Sequence, residues 1–221
     1  MQEFYSFSST EYLTDPEVLD AVGSRGRRVM ELASLGAPIS PGFLLSNETL
    51  VKIVEDQKGV FESLDEAFEV MAKTLGKGFD DPENPLLVKV VESPMLNMVT
   101  TFSTIHNIGL TEATVDGFAD YVGEAFAYHE FGNVFAHLAE MELRTEGVPA
   151  KRKTTLEKAR DAFSAAAAAK SPKADVTKAL EAHRKAFPEE VFADSYEQLR
   201  YVLKLYMKLF HINDSSSDSA I

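Results

Sequence analysis

Val22-Gly-Ser-Arg-Gly-Arg-Arg-Val-Met-Glu-Leu-Ala-Ser-Leu-Gly-Ala-Pro-Ile-Ser-Pro-Gly-Phe43 joins a glycine turn to an apolar-periodic segment and then to a proline-bracketed approach into a strand. Val29, Met30, Leu32, Ala33 and Leu35 recur at helical spacing, which predicts a helix over 26–35 that stops at Gly36, with Pro38 and Pro41 barring continuation. Phe43-Leu-Leu45 after it reads as a buried strand. A helix opened by glycines leaves backbone N–H groups free at its N-terminus, where an anion is favoured, and Arg25 adds charge there. Gly23-Ser-Arg-Gly26 lacks the paired lysine and hydroxyl of a phosphate loop and the spacing of a dinucleotide fingerprint.

On the N-terminal side, Phe4-Tyr-Ser-Phe7 predicts a short strand, and Thr14, Asp15 and Pro16 a turn followed by a brief helix. On the other side, Ser46 and Thr49 start a helix through about Val54. Phe61, Leu64, Phe68, Met71 and Leu75 mark a second helix over 60–75. The turn cluster Asp80 to Pro85 precedes Leu86-Leu-Val-Lys-Val-Val91, the strongest strand signal in the chain, expected inside a sheet. Beyond Thr111 only helices are expected, over 113–121, 125–144, 155–169, 176–186 and 195–210, then a polar tail from Asn213. The expected fold is helix-rich α+β: a small α/β lobe over 1–111, a helical lobe over 112–212 and an unstructured tail over 213–221.

At 221 residues with 45% hydrophobic and 26% charged side chains, the chain can bury a substantial core. No apolar run is long enough to span a bilayer, and the N-terminus has neither the basic start nor the apolar core of a signal peptide, so neither membrane nor secretion is expected. With no cysteine there is no disulfide, thiolate nucleophile or thiolate ligand, and a cytoplasmic location is expected. A formal net charge of −13 argues against a nucleic-acid partner, whose phosphates require lysine and arginine. Positive charge is concentrated at Arg25, Arg27 and Arg28, and at Lys151-Arg-Lys153, which reads as a solvated connection between helices.

Several stretches together resemble the opening of the pyruvate phosphate dikinase and phosphoenolpyruvate synthase family. In that family Gly-Gly-Lys-Gly-Ala-Asn-Leu precedes a helix and Leu-Gly-Leu-Pro-Val-Pro-Pro-Gly-Phe follows it, as the segment 22–43 does here. Tyr5-Ser-Phe7 matches an early Tyr-Ser-Phe, and Leu86 to Leu110 resembles a Val-Ser-Val-Arg-Ser-Gly strand-loop followed by Thr-Val-Leu-Asn-Leu-Gly-Leu, standing here as Thr104-Ile-His-Asn-Ile-Gly-Leu110. Phe126-Ala-Tyr128 and Asp194-Ser-Tyr-Glu-Gln-Leu-Arg200 are similar to its Phe-Ala-Tyr and Asp-Pro-Trp-Glu-Gln-Leu. The landmarks keep family order from about residue 3 to residue 212. The resemblance implies the first lobe of an ATP-grasp-like nucleotide-binding domain, with the second nucleotide lobe, the swinging-histidine domain and the pyruvate barrel expected to have no counterpart in this pattern.

Where this chain departs from the family, the resemblance implies lost chemistry. Arg25 stands where the family has the lysine of Gly-Gly-Lys-Gly, keeping charge but not the compact ammonium. Val91 stands where it has arginine, followed by Glu92 and Ser93 instead of serine and glycine. Phosphoryl transfer depends on positioned cations, so this exchange removes a main contribution, and Glu92 disfavours an anion further. The family's Met-Pro-Gly-Met-Met-Asp loop stands as Met98-Val-Thr-Thr-Phe-Ser103, without its glycine. Lys89, two residues before Val91 on one strand face, is a candidate to replace the missing charge.

Other constellations carry less. His129 and His137 are more than two helical turns apart, too far for one ion, so no metal is expected despite Glu130 and Glu140 nearby. His106 is a lone histidine beside the altered loop, and His183 and His211 have no motif. Leu199, Val202, Leu203, Tyr206, Leu209 and Phe210 form a stripe that buries into the helical lobe or, alternatively, faces a partner.

Two functions follow as expectations. The first is a non-catalytic dikinase-like domain with a binding, regulatory or structural role, no catalytic residue, no required cofactor and a protein partner. The alternative is a module that binds ATP with magnesium, or a phosphometabolite, through Arg25 and Lys89, or a partial phosphotransferase completed by another chain.

Overall fold

The computed structural model describes residues 4–55, 59–94, 104–209 and 219–220. In chain order the elements are β1 (Phe4–Phe7), α1 (Pro16–Ala21), α2 (Gly23–Ser34), β2 (Gly42–Leu45), α3 (Asn47–Val54), α4 (Val60–Thr74), β3 (Val88–Val90), β4 (Ser93–Pro94), β5 (Ile105–Ile108), α5 (Val115–Val122), α6 (Glu124–Leu143), α7 (Ala150–Ala167), α8 (Pro172–His183), α9 (Glu190–Ala193), α10 (Ser195–Leu209) and β6 (Ser219–Ala220). The fold is helix-rich α+β, with antiparallel two-stranded sheets β1-β2, β3-β5 and β4-β6.

The chain packs as two units interleaved in sequence: 1–71, 91–104 and 210–221 form one, 72–90 and 105–209 the other. This differs from a single boundary near residue 111. The segment 72–90 belongs with the helices because β3 pairs with β5 and α5 closes on the turn before β3: a Cβ added at Gly117 would lie 2.0 Å from the carbonyl oxygen of Pro82.

In the first unit, β1 pairs with β2 from Phe4↔Leu45 to Phe7↔Gly42. Val22, Met30 and Leu44 are buried against Tyr5, Phe7, Leu13, Val18, Leu19 and Val29, so the apolar stripe of α2 has its cover in α1 and the hairpin. Asp15 caps α1 by accepting the N–H of Glu17 at 2.9 Å, with Pro16 at the first helical position. α2 ends as its sequence predicts. Gly36 takes φ +78°, its N–H reaches the Ala33 carbonyl, and the Ala37 N–H reaches the Leu32 carbonyl at 3.0 Å.

The second unit is built round α6, which is buried on most of its circumference. Phe135 lies at its centre, with ring centroids 5.2 Å from Phe131, 5.2 Å from Phe163 and 4.7 Å from Phe192. Gly132 lets α6 close on α7 and α8, since a Cβ there would meet Ala167 and Val176 at 3.0 Å.

Three expectations are corrected. Leu86 to Val91 forms only the three-residue β3, in a two-stranded sheet; Leu86 is buried outside the strand, so its apolar character reflects core packing. Lys151-Arg-Lys153 lies in the first turn of α7, which begins at Ala150 directly after Pro149. α9 was not anticipated. Of the α10 stripe, Leu199, Val202, Leu203 and Tyr206 are buried, Leu209 is half-buried, and Phe210 lies outside the described residues. Met98 to Ser103, His211 and 213–218 of the expected tail lie outside the described residues, whereas Ser219–Ala220 pair with Ser93–Pro94.

Candidate functional site

The glycine turn that opens α2 is where an anion was expected, and in the folded chain β4 fills it. Gly23 has φ +72°, and a Cβ added there would lie 2.0 Å from the carbonyl oxygen of Ser93. Glycine is therefore required twice at this position, for its backbone angle and for the close approach of another strand. Ser93 is 2% exposed. Its hydroxyl accepts the Gly26 N–H at 2.8 Å and donates to the Val22 carbonyl at 2.6 Å, so one donor at the head of α2 is already satisfied from within. Gly26 is enclosed as well, since a Cβ there would meet Val22 at 3.0 Å and Leu44 at 3.2 Å. Glu92, next to the plug, is buried.

Arg25 is exposed on α2 and has no hydrogen-bond or ion-pair partner among the described residues. Arg27 is paired with Asp20. Lys89 is exposed on β3 between the half-buried Val88 and Val90. β3 ends at Val90 and β4 starts at Ser93, so strand alternation does not carry from Lys89 to Val91. Arg25 and Lys89 belong to different packing units.

The two landmarks at 107–110 and 194–200 meet as a buried polar centre of the second unit. Gln198, fully buried, accepts the Gly109 N–H at 2.8 Å and donates to the carbonyls of Leu110 and Val191, both at 3.1 Å. Thr114 donates to the Gly109 carbonyl at 2.7 Å and accepts the Thr111 N–H at 2.9 Å. Ser195 donates to Asp80 at 2.8 Å, and Asp194 caps α10 by accepting the N–H groups of Tyr196 and Glu197 at 2.9 Å. These buried side chains tie together backbone groups from distant parts of the second unit.

A second polar group joins α6, α7 and α10. Arg152 grips Glu142 with two bonds, at 2.8 and 2.7 Å, and Tyr201 donates its hydroxyl to the same carboxylate. Burial, with Glu142 adding to it, raises the Tyr201 phenol well above its ordinary range.

His129 is held by the backbone and by its own helix. His129 Nδ1 lies 2.8 Å from the Ala167 carbonyl and Nε2 3.0 Å from Asn133 Nδ2. The pKa of His137 is lowered by partial burial and by His106, against the opposing pull of Glu130 and Glu140. No group of three or more metal-ligating side chains occurs among the described residues. No helix among them is long and apolar enough to cross a membrane.

Ser93 had no signature of its own in the sequence, and Gln198 stood in the landmark 194–200 without any sign of what it bonds. Ser93 stands 67 and 71 residues from its partners and Gln198 as many as 89 from its own, so spacing could not reveal them.

Fold and site together define a helix-rich α+β module whose helix-opening glycine turn is closed by its own chain. No family model matches it. It is 31% identical over 224 residues to the pyruvate, phosphate dikinase of Treponema pallidum, a match covering 95% of this chain. It is 33% identical over 115 residues to the enzyme of Clostridium symbiosum, and 33% over 124 residues to the chloroplastic enzyme of Mesembryanthemum crystallinum, each covering about half of it. The chain belongs to the pyruvate, phosphate dikinase family. The matched part is 24% of the Treponema protein and 13% of each of the other two.

Proposed function

We propose that this chain is a non-catalytic dikinase-like module that acts by binding a protein partner, in a regulatory or structural role, and does not itself transfer phosphoryl groups. The observation that carries the reading is the closure of Gly23 on the backbone of Ser93, with 2.0 Å between an added Cβ and the carbonyl oxygen. A nucleotide phosphate at this turn needs open space above the glycine and unpaired N–H donors, and magnesium-bound ATP does not fit the turn as it is packed. Val91 and the buried Glu92, standing where the resembling enzymes have arginine and serine, add to this, because transfer depends on cations held against the phosphate oxygens. The exposed rings of Tyr121 and Phe126 offer a partner apolar surface, and a cytoplasmic location is part of the proposal.

The test is calorimetric titration of the protein with magnesium and ATP, repeated with Arg25→Ala. The expected result is no saturable heat up to millimolar concentration and no ATP turnover. Turnover that Arg25→Ala abolishes would sink the reading. A second reading, an anion-binding module, draws on Arg25 being exposed without a partner among the described residues. Saturable ATP or phosphoenolpyruvate binding without turnover, lost in Arg25→Ala, would select it.

A further inference from the structure

We infer that the Gly26 N–H and the Val22 carbonyl make the head of α2 a niche for one neutral hydroxyl, which Ser93 fills, so that a turn of anion-binding type takes an O–H and not an anion. The inference rests on the reading of that turn as closed, and it says what closes it chemically. Two backbone groups converge on Ser93 Oγ: the Gly26 N–H, 2.8 Å away, and the Val22 carbonyl, 2.6 Å away. A hydroxyl can accept from the first and donate to the second at once. A phosphate oxygen could accept from Gly26, but it would bring negative charge against the Val22 carbonyl with no proton to offer it. The pair of groups therefore selects an O–H and rejects an anion even before the steric barrier is counted.

That barrier acts in the same direction. Ser93 is 2% exposed, and its carbonyl oxygen seals the space over Gly23. Displacing the hydroxyl would leave the Val22 carbonyl without that bond in a buried place, an unfavourable exchange for any ligand that cannot replace it. Arg25, one residue before Gly26, points to the opposite outcome on charge alone, but a guanidinium exposed to water is screened and holds an anion weakly without converging N–H groups.

The experiment follows the Gly26 amide by NMR in the full chain, using inorganic pyrophosphate as the probe. In the unmodified protein the Gly26 amide is expected to be protected from exchange and unmoved by millimolar pyrophosphate. Ser93→Ala is expected to lower that protection about tenfold, as loss of one buried hydrogen bond does, and still to show no pyrophosphate shift at Gly26. Ser93→Thr, which keeps the hydroxyl, is expected to retain protection. A saturable pyrophosphate shift at Gly26 in either the unmodified protein or Ser93→Ala would overturn the inference, as would unchanged protection in Ser93→Ala. If Ser93→Ala does not fold, the unmodified protein and Ser93→Thr still decide it. ATP binding or turnover that leaves the Gly26 signal in place would remove the proposed function and leave the role of Ser93 standing, so the two failures are distinguishable.

Discussion

Gln198 and Gly109, 89 residues apart, are joined by a 2.8 Å hydrogen bond in which the buried amide oxygen accepts the glycine N–H. The same side chain donates to the carbonyls of Leu110 and Val191, so three backbone groups depend on it. Gly109 itself has φ +100°, and a Cβ there would lie 2.8 Å from the Leu86 carbonyl oxygen. One amide thus holds a turn that only glycine can make. Gln198→Leu keeps the size and removes every bond, and it is expected to destabilise the protein by about 3 kcal/mol. Thermal melting should fall by about 6–12 °C. A loss under about 1 kcal/mol would show that water replaces the amide.

Gly23 and Gly36 have nearly the same positive φ, +72° and +78°, yet different surroundings. An added Cβ at Gly36 meets nothing within 4 Å, whereas at Gly23 it collides with Ser93. Gly36→Ala is expected to cost about 1 kcal/mol, for the backbone angle alone. Gly23→Ala carries the same angular term and must also push β4 away, so about 3 kcal/mol or more is expected. Denaturant melts of the two variants measure the difference, and equal losses would contradict the close packing of the turn.

Much of the first unit was legible because its signals are local. Asp15 before Pro16, the apolar spacing of α2 and the stop at Gly36 each act within a few residues, where capping and periodicity apply. Lys151 to Lys153 misled because a basic run looks like a loop until Arg152 is seen to be bound to Glu142, ten residues earlier on another helix. Leu86 to Val91 misled because a short apolar run fits a central strand and a core-packed segment equally well. Arg25 was legible as a charge, but whether the turn beside it was open depended on Ser93, whose role exists only after folding brings β4 to α2.

Tyr201 supplies a pH test at the alkaline end. Burial, with the Glu142 carboxylate beside it, raises its phenol in the native state above the unfolded value of 10.0. The native protein then holds the proton that the unfolded chain releases. The stabilisation is complete below the unfolded value and is lost as pH rises through the native one. Stability is expected to decline above pH 10.0 more steeply than in Tyr201→Phe, which lacks the group. Denaturant melts across that range check this, and parallel curves for the two proteins would refute it.

His137 gives the corresponding test on the acid side. Partial burial lowers its pKa below the ordinary 6.5, His106 lowers it further, and Glu130 and Glu140 oppose both. Because the unfolded chain takes up a proton at 6.5 and the native one only at lower pH, protonation favours unfolding. The contribution of His137 is present above 6.5 and is lost as pH falls toward the native value. The ring signal of His137 is expected to titrate with a midpoint below 6.5, and His106→Gln should move that midpoint upward by removing a neighbouring positive charge. His137→Gln should flatten the pH dependence of stability in the same interval. A midpoint at or above 6.5 would mean that the carboxylates of Glu130 and Glu140 outweigh burial at this face of α6, and one that His106→Gln leaves in place would mean that His106 does not act on His137.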